Sequence, residues 1–277
     1  MSKCIAFHSY KGGTGKTTLA CNFAALLAKK GYRVFLLDLD VSAPSIQAYF
    51  ENEPKKWIND YLNDDADISD IAVEMTSLIP EIDNDSNSGK LWVGFCNPKK
   101  EEIYKLEGGK GEGTKMQLLR KFVLLRENLI SEFDLDYLII DTSPGIRYWS
   151  INALSVADIL FLTLKMGELD IDGTKKMAAD IYDSLTKYGA KSYLIMNRVA
   201  GFCMPNLSQT HEHNLVERES NMDEVLANKV GMKIISAIPC YCDIQFSTKE
   251  YLTVLNYPEH PFAAQINTLS EEKEIKV

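Results

Sequence analysis

Lys11-Gly-Gly-Thr-Gly-Lys-Thr-Thr18 places two lysines five residues apart in a glycine-rich stretch that ends in two hydroxyls. Glycine lets a loop close tightly enough for successive backbone N–H groups to converge on one anion. A helix starting at the end of such a loop adds the positive end of its dipole. The apolar run Cys4-Ile-Ala-Phe7 predicts a strand before the loop, and the pattern from Thr17 to Ala28 predicts a helix after it. In that context the stretch reads as a phosphate-binding loop. Gly12, Gly13, Thr14, Gly15 and Thr18 build the cradle, Lys16 reaches the β- and γ-phosphates, and the Thr17 hydroxyl ligates Mg²⁺. A glycine turn with one lysine arises often by chance. The flanking strand and helix, with the Lys-Thr pair, distinguish this one.

Carboxylates end two further apolar runs. Tyr32-Arg-Val-Phe-Leu-Leu37 leads into Asp38-Leu-Asp40, with Asp40 24 residues after Lys16, and Tyr137-Leu-Ile-Ile140 leads into Asp141. Phosphoryl transfer to water requires a positioned water, a metal ion and neutralised charge rather than covalent help. Asp40 is the candidate for orienting that water and, with Thr17 and Asp141, for the metal site. A carboxylate at Asp141 suits a Mg²⁺-bound water, because Mg²⁺ keeps most of its hydration shell. By residue type alone, Asp38 and Asp40 also suit turns and helix caps. Asn197-Arg198 and Pro239 end two later apolar runs, and Asn is equally a turn residue. Cys203, Cys240 and Cys242, with His211 and His213, offer thiolate and imidazole groups, yet their spacing fits no standard metal motif.

These residues need a scaffold that gathers strand ends. Ile159–Thr163, Ser192–Met196 and Lys233–Ile238 read as strands, as does Leu91–Phe95, with helices over 116–130, 170–188 and 222–230 between them. Pro54 to Ile79 reads as helical and acidic, Asp83–Gly89 as a loop and Gly108–Gly113 as a flexible connection. Such alternation predicts an α/β fold, a doubly wound and mainly parallel sheet flanked by helices, whose ligands bind at the carboxyl ends of the strands. The absence of a Pro/Gly/Ser-rich linker or a repeat predicts a single domain over 1–277.

The chain has 277 residues, 45% of them hydrophobic, enough for a large core, and a net charge of −9 that disfavours the basic face needed for non-specific DNA binding. No apolar run is long enough to span a membrane and no signal peptide opens the chain, so a cytoplasmic location and six reduced cysteines are expected. The last residues, Asn267 to Val277, lack the basic amphipathic face of an interfacial helix.

The pair Lys11 and Lys16 marks the deviant Walker A loop, and the sequence resembles the ParA/MinD family of dimerising ATPases. The loop, Asp38-x-Asp40, Asp141-Thr-Ser-Pro-Gly145, Asn197 and the Pro239 loop follow in family order over nearly the whole chain. The resemblance implies ATP and Mg²⁺ as ligands, with Asp40 in switch I, Asp141 at the Walker B position, and switch II after it. It also implies Asn197 on the adenine edge, with Arg198 beside it, and Pro239 packed on the base. Lys11 of each subunit would cross to the phosphates of the other in an ATP-dependent homodimer whose slow hydrolysis a protein partner or cargo stimulates. Roles in partitioning or cell division accompany the family. The stretch Asp40-Val-Ser-Ala-Pro-Ser45 also resembles switch I of the iron–sulfur cluster carriers with the same core, although their C-terminal Cys-x-x-Cys is missing. The tyrosine cluster of the related bacterial kinases is absent from the C-terminus.

Overall fold

The computed structural model describes residues 2–80, 89–99, 101, 112–165, 167–199 and 229–277. Eight strands form one sheet: β1 (Lys3–His8), β2 (Arg33–Leu39), β3 (Val73–Glu74), β4 (Lys90–Gly94), β5 (Tyr137–Thr142), β6 (Ile159–Leu164), β7 (Lys191–Val199) and β8 (Ile234–Pro239). Their order is β3-β4-β2-β5-β1-β6-β7-β8, parallel throughout except for β3, which runs antiparallel on β4. The central strands are near-continuous apolar runs because helices cover both of their faces. Cys4 and Ala6, Phe35 and Leu37, and Leu138 and Ile140 face one layer. There they meet Phe122, Leu125 and Leu129 of helix α2 (Glu112–Phe133) and Trp149, Ala153 and Leu154 of helix α3 (Tyr148–Ser155). The alternate residues Ile5, Phe7, Val34, Leu36 and Ile139 face helix α1 (Lys16–Lys29) on the other side.

On the α2 side lies helix α4 (Glu168–Met177), then a π-helical turn over Ala178–Tyr182, then helix α5 (Asp183–Lys187). The helix expected over 170–188 is therefore interrupted. Helix α6 (Pro261–Glu271) closes the α1 side, burying Phe262, Ile266 and Leu269 in the same cluster as Leu19, Phe23 and Leu27. Its start is fixed by sequence-local features: Pro261 occupies the first turn, and the His260 ring accepts a hydrogen bond from the Phe262 N–H at 3.0 Å.

Pro54 to Ile79 is not one helix. Two short helical turns, Ile58–Leu62 and Ile68–Ile71, precede the two-residue β3 and a 3₁₀ turn at Thr76–Leu78. Acidic residues there cap rather than propagate: the Asp60 and Asp70 carboxylates accept from the Trp57 and Asp67 N–H groups at 2.8 and 3.0 Å. Gly113, expected in a connection, lies in the first turn of α2. The rest of that connection (108–111), the loop from Asp83 and most of the helix expected over 222–230 lie outside the described residues. Cys4, Cys21 and Cys96 are buried thiols, whereas Cys242 is disulfide-bonded, a departure from the expected six reduced cysteines. No helix among the described residues is long and apolar enough to cross a membrane.

Candidate functional site at the carboxyl edge of the sheet

The loop between β1 and α1 is shaped by its glycines. Gly13 and Gly15 adopt φ of 72° and 88°, conformations that disfavour any side chain. Gly15 carries a second constraint, since a Cβ there would lie 2.4 Å from Asn197 Nδ2. Gly15 also precedes the first residue of α1, so the N-terminus of that helix points at the cradle. Lys16 is 5% exposed, its charge drawn in beside Asp141.

Register brings the carboxylates to the same place. Asp38 on β2 pairs directly with Asp141 on β5, which also lies beside Phe7 on β1. The Thr17 hydroxyl donates to Asp141 Oδ2 at 2.6 Å, and Asp141 Oδ1 is buried with no hydrogen-bond partner among the described residues. Burial pushes the Asp141 carboxyl up to about 6; the Lys16 charge and the Thr17 hydrogen bond oppose this, and Asp40 adds to it. Burial, Asp141 and Asp40 likewise raise Asp38 well above the usual carboxylate range. A hydroxyl, an orphaned carboxylate oxygen and an excess of buried negative charge fit a hydrated divalent cation. Thr17 and Asp141 would hold it, and it would supply charge neutralisation.

Asp40 is fixed separately. Its Oδ1 accepts from the Ser143 hydroxyl at 2.8 Å and the Ala43 N–H at 3.2 Å, and its own N–H donates to Asp38 Oδ1 at 3.0 Å. Ser143 belongs to the segment after β5, so the two expected switch segments share a carboxylate. Gly145 N–H donates to Ser9 O at 2.8 Å, tying that same segment to the loop entrance.

Asn197 and Arg198 lie just before the end of β7 and reach across to the loop. Asn197 Nδ2 donates to Thr14 O at 2.7 Å, and Arg198 Nη1 donates to Gly13 O at 2.9 Å. Arg198 holds a left-handed φ of 59° to do so. Beside them, a cavity of about 170 Å³ is lined by Gly15, Thr18, Asn197, Pro239, Tyr241 and Phe262. Thr18 Oγ1 lies 2.8 Å from the Tyr49 hydroxyl. The structure thus brings Gly12 to Thr18, Asp40, Asp141, Asn197, Arg198 and Pro239 to one edge. Lys11 sits at the loop mouth, 43% exposed. Cys203, His211 and His213 lie outside the described residues, and no cluster of three or more metal-ligating side chains occurs among those described.

Sequence reasoning missed His8. Its Nδ1 lies 2.7 Å from Thr142 Oγ1, within hydrogen-bond distance, and that hydroxyl donates to Phe7 O at 2.8 Å. Burial and then the Lys16 charge push the ring down to about 3, so it is neutral at neutral pH. A single His inside an apolar strand carries no spacing signal.

A phosphate cradle at the carboxyl edge of a parallel sheet, followed by carboxylates from the two neighbouring strands, is matched by one family description. The model of the CobQ/CobB/MinD/ParA nucleotide-binding domain covers residues 5–240. The chain belongs to this family. Among its curated relatives, the sporulation initiation inhibitor protein Soj of Bacillus subtilis is 28% identical over 183 residues, 64% of this chain and 64% of Soj. The cytosolic Fe-S cluster assembly factor cfd1 of Neurospora crassa is 26% identical over an alignment that covers 97% of this chain and 86% of that protein. The septum site-determining protein MinD complexed with Mg-ADP, from Pyrococcus horikoshii OT3, superposes with a TM-score of 0.70 at 20% identity, over 98% of this chain and 95% of that one. The family's MinD/ParA-type P-loop fold is therefore the fold of this chain.

Proposed function

We propose that the chain is a single-domain, Mg·ATP-dependent ATPase switch whose two copies close on sandwiched nucleotides. The observation that carries this reading is the conjunction of the glycine cradle, buried Lys16, the 2.6 Å Thr17–Asp141 contact and a second, half-exposed lysine at the loop mouth. In this reading the cradle amides and Lys16 bind the phosphates, and Thr17 and Asp141 hold Mg²⁺. Asn197, Arg198 and Pro239 border the base cavity. Asp40, oriented by Ser143 and Ala43, positions the attacking water and releases its proton to solvent with the phosphate product. Lys11 serves the partner subunit's phosphates, since phosphate charge buried between two chains requires a trans cation. Hydrolysis removes that cause of association, making the cycle a switch stimulated by a protein activator or cargo, in positioning or partitioning.

A second reading has its own support. The relative aligned over 97% of this chain is an Fe-S cluster assembly factor, and Cys240 lines the cavity beside Pro239. Iron-sulfur cargo would then be the substrate, and the ATPase cycle would drive its loading or release.

Light scattering on Asp40→Ala with Mg·ATP and with Mg·ADP tests the first reading. A dimer with ATP alone is expected, and a monomer in both states would overturn it. Iron and sulfide analysis after anaerobic reconstitution tests the second, which fails if no stoichiometric cluster is retained.

A further inference from the structure

The entrance to the phosphate-binding loop is gripped by one helical arm. His8 stacks on Tyr182 of the π turn, ring centroids 6.3 Å apart. Tyr10 lies against α4 where Gly173 leaves room, since a Cβ at 173 would fall 2.0 Å from the tyrosine ring. Lys11 Nζ lies 3.1 Å from Asp170 Oδ1. Asp170 and Gly173 stand three positions apart, on one face of α4, so the glycine that admits Tyr10 also brings the carboxylate within reach of the lysine. A glycine inside a helix is destabilising relative to alanine, and the close approach of Tyr10 is what requires it here.

We infer that Asp170 is the positioning residue for Lys11, holding it against its own chain and thereby setting the concentration at which two nucleotide-loaded chains join. The inference rests on the proposed trans role of Lys11. Asp170 is 16% exposed, whereas the lysine is 43% exposed. Asp170 Oδ1 is buried and accepts no aligned hydrogen bond among the described residues, so the contact is an attraction between charges that a stronger anion can replace. The nearby Asp172 has a cation of its own in Lys229, at 3.6 Å. Lys11 must leave Asp170 before it can reach a neighbouring chain's phosphates, and that exchange subtracts from the free energy of association.

Sedimentation equilibrium of the full chain with Mg²⁺ and the β,γ-imido analogue of ATP tests this. Asp170→Asn, nearly isosteric, is expected to dimerise with a dissociation constant roughly 3- to 10-fold lower, the range of a partly exposed ion pair. An unchanged or weaker dimer overturns the inference. Acetylation of Lys11 in the ADP-bound protein, mapped by mass spectrometry, reads the contact within one chain. Labelling should rise in Asp170→Asn and return toward wild type in Asp170→Glu, whereas equal labelling of all three overturns the contact. A wild-type chain that stays monomeric with the analogue would refute the proposed function, while the labelling still decides Asp170.

Discussion

At Asp141 two effects oppose each other: a carboxylate removed from water, and the lysine and hydroxyl that compensate it. The carboxyl sits at about 6, above its ordinary value, so burial outweighs Lys16 and Thr17 when no cation is bound. The sign follows from linkage. A carboxyl raised in the folded state contributes its full stability below the unfolded value near pH 4, and loses it as pH rises through about 6. Asp141→Asn should therefore make the apo protein more stable at pH 7.5, by at most about 3 kcal/mol, with the gain vanishing near pH 4. Thermal melts at the two pH values check it; a less stable variant at pH 7.5 would show that the Lys16 pair outweighs burial. The same variant should lose Mg²⁺-dependent nucleotide affinity, so a destabilising charge at this position is what a cation site requires. His8 has the opposite sign. Its depressed ring value stabilises the protein above about pH 6.5 and withdraws that support as pH falls toward 3.

Among the elements, the strands were legible because burial on both faces writes an unbroken apolar run, and the loop because its glycines and lysines have fixed spacing. The sequence reading missed what depends on partners far along the chain. β3 pairs only Val73 and Glu74 with β4, too short for any periodicity. The π turn interrupts a pattern that is helical on both sides, and its Tyr182 stacks on His8 rather than continuing a solvent face. Asn197 was legible as a strand-end residue, but its 2.7 Å bond to Thr14 O depends on register between β7 and the loop. Helix α6 is part of the scaffold for that loop, since its buried face packs on α1, whose first residue is Lys16. Ile266 is fully buried there, and Ile266→Ala should cost about 2–5 kcal/mol through lost burial and a residual cavity. Urea unfolding would measure it. An unchanged midpoint would make α6 peripheral rather than a support of α1.

For the whole molecule, the proposed closure brings together two chains that each carry −9 before nucleotide is added. Two terms then act at different ranges. The attraction between Lys11 and a partner's phosphates is short and desolvated, so salt screens it little. The repulsion between two acidic bodies acts through water over the Debye length, which shrinks from about 30 Å at 0.01 M salt to about 8 Å at 0.15 M. Raising salt across that interval should therefore tighten the Mg·ATP-dependent dimer several-fold, the reverse of what a surface held by exposed ion pairs would do. Lys11→Ala separates the terms: it should still bind ATP through Lys16 yet remain monomeric at both salt concentrations, because screening removes repulsion without replacing the missing cation. Light scattering of wild type and Lys11→Ala at the two concentrations gives both readings. Weaker wild-type association at the higher salt would place the driving force in exposed charge pairs. An ATP-dependent Lys11→Ala dimer would take the trans lysine out of the cycle.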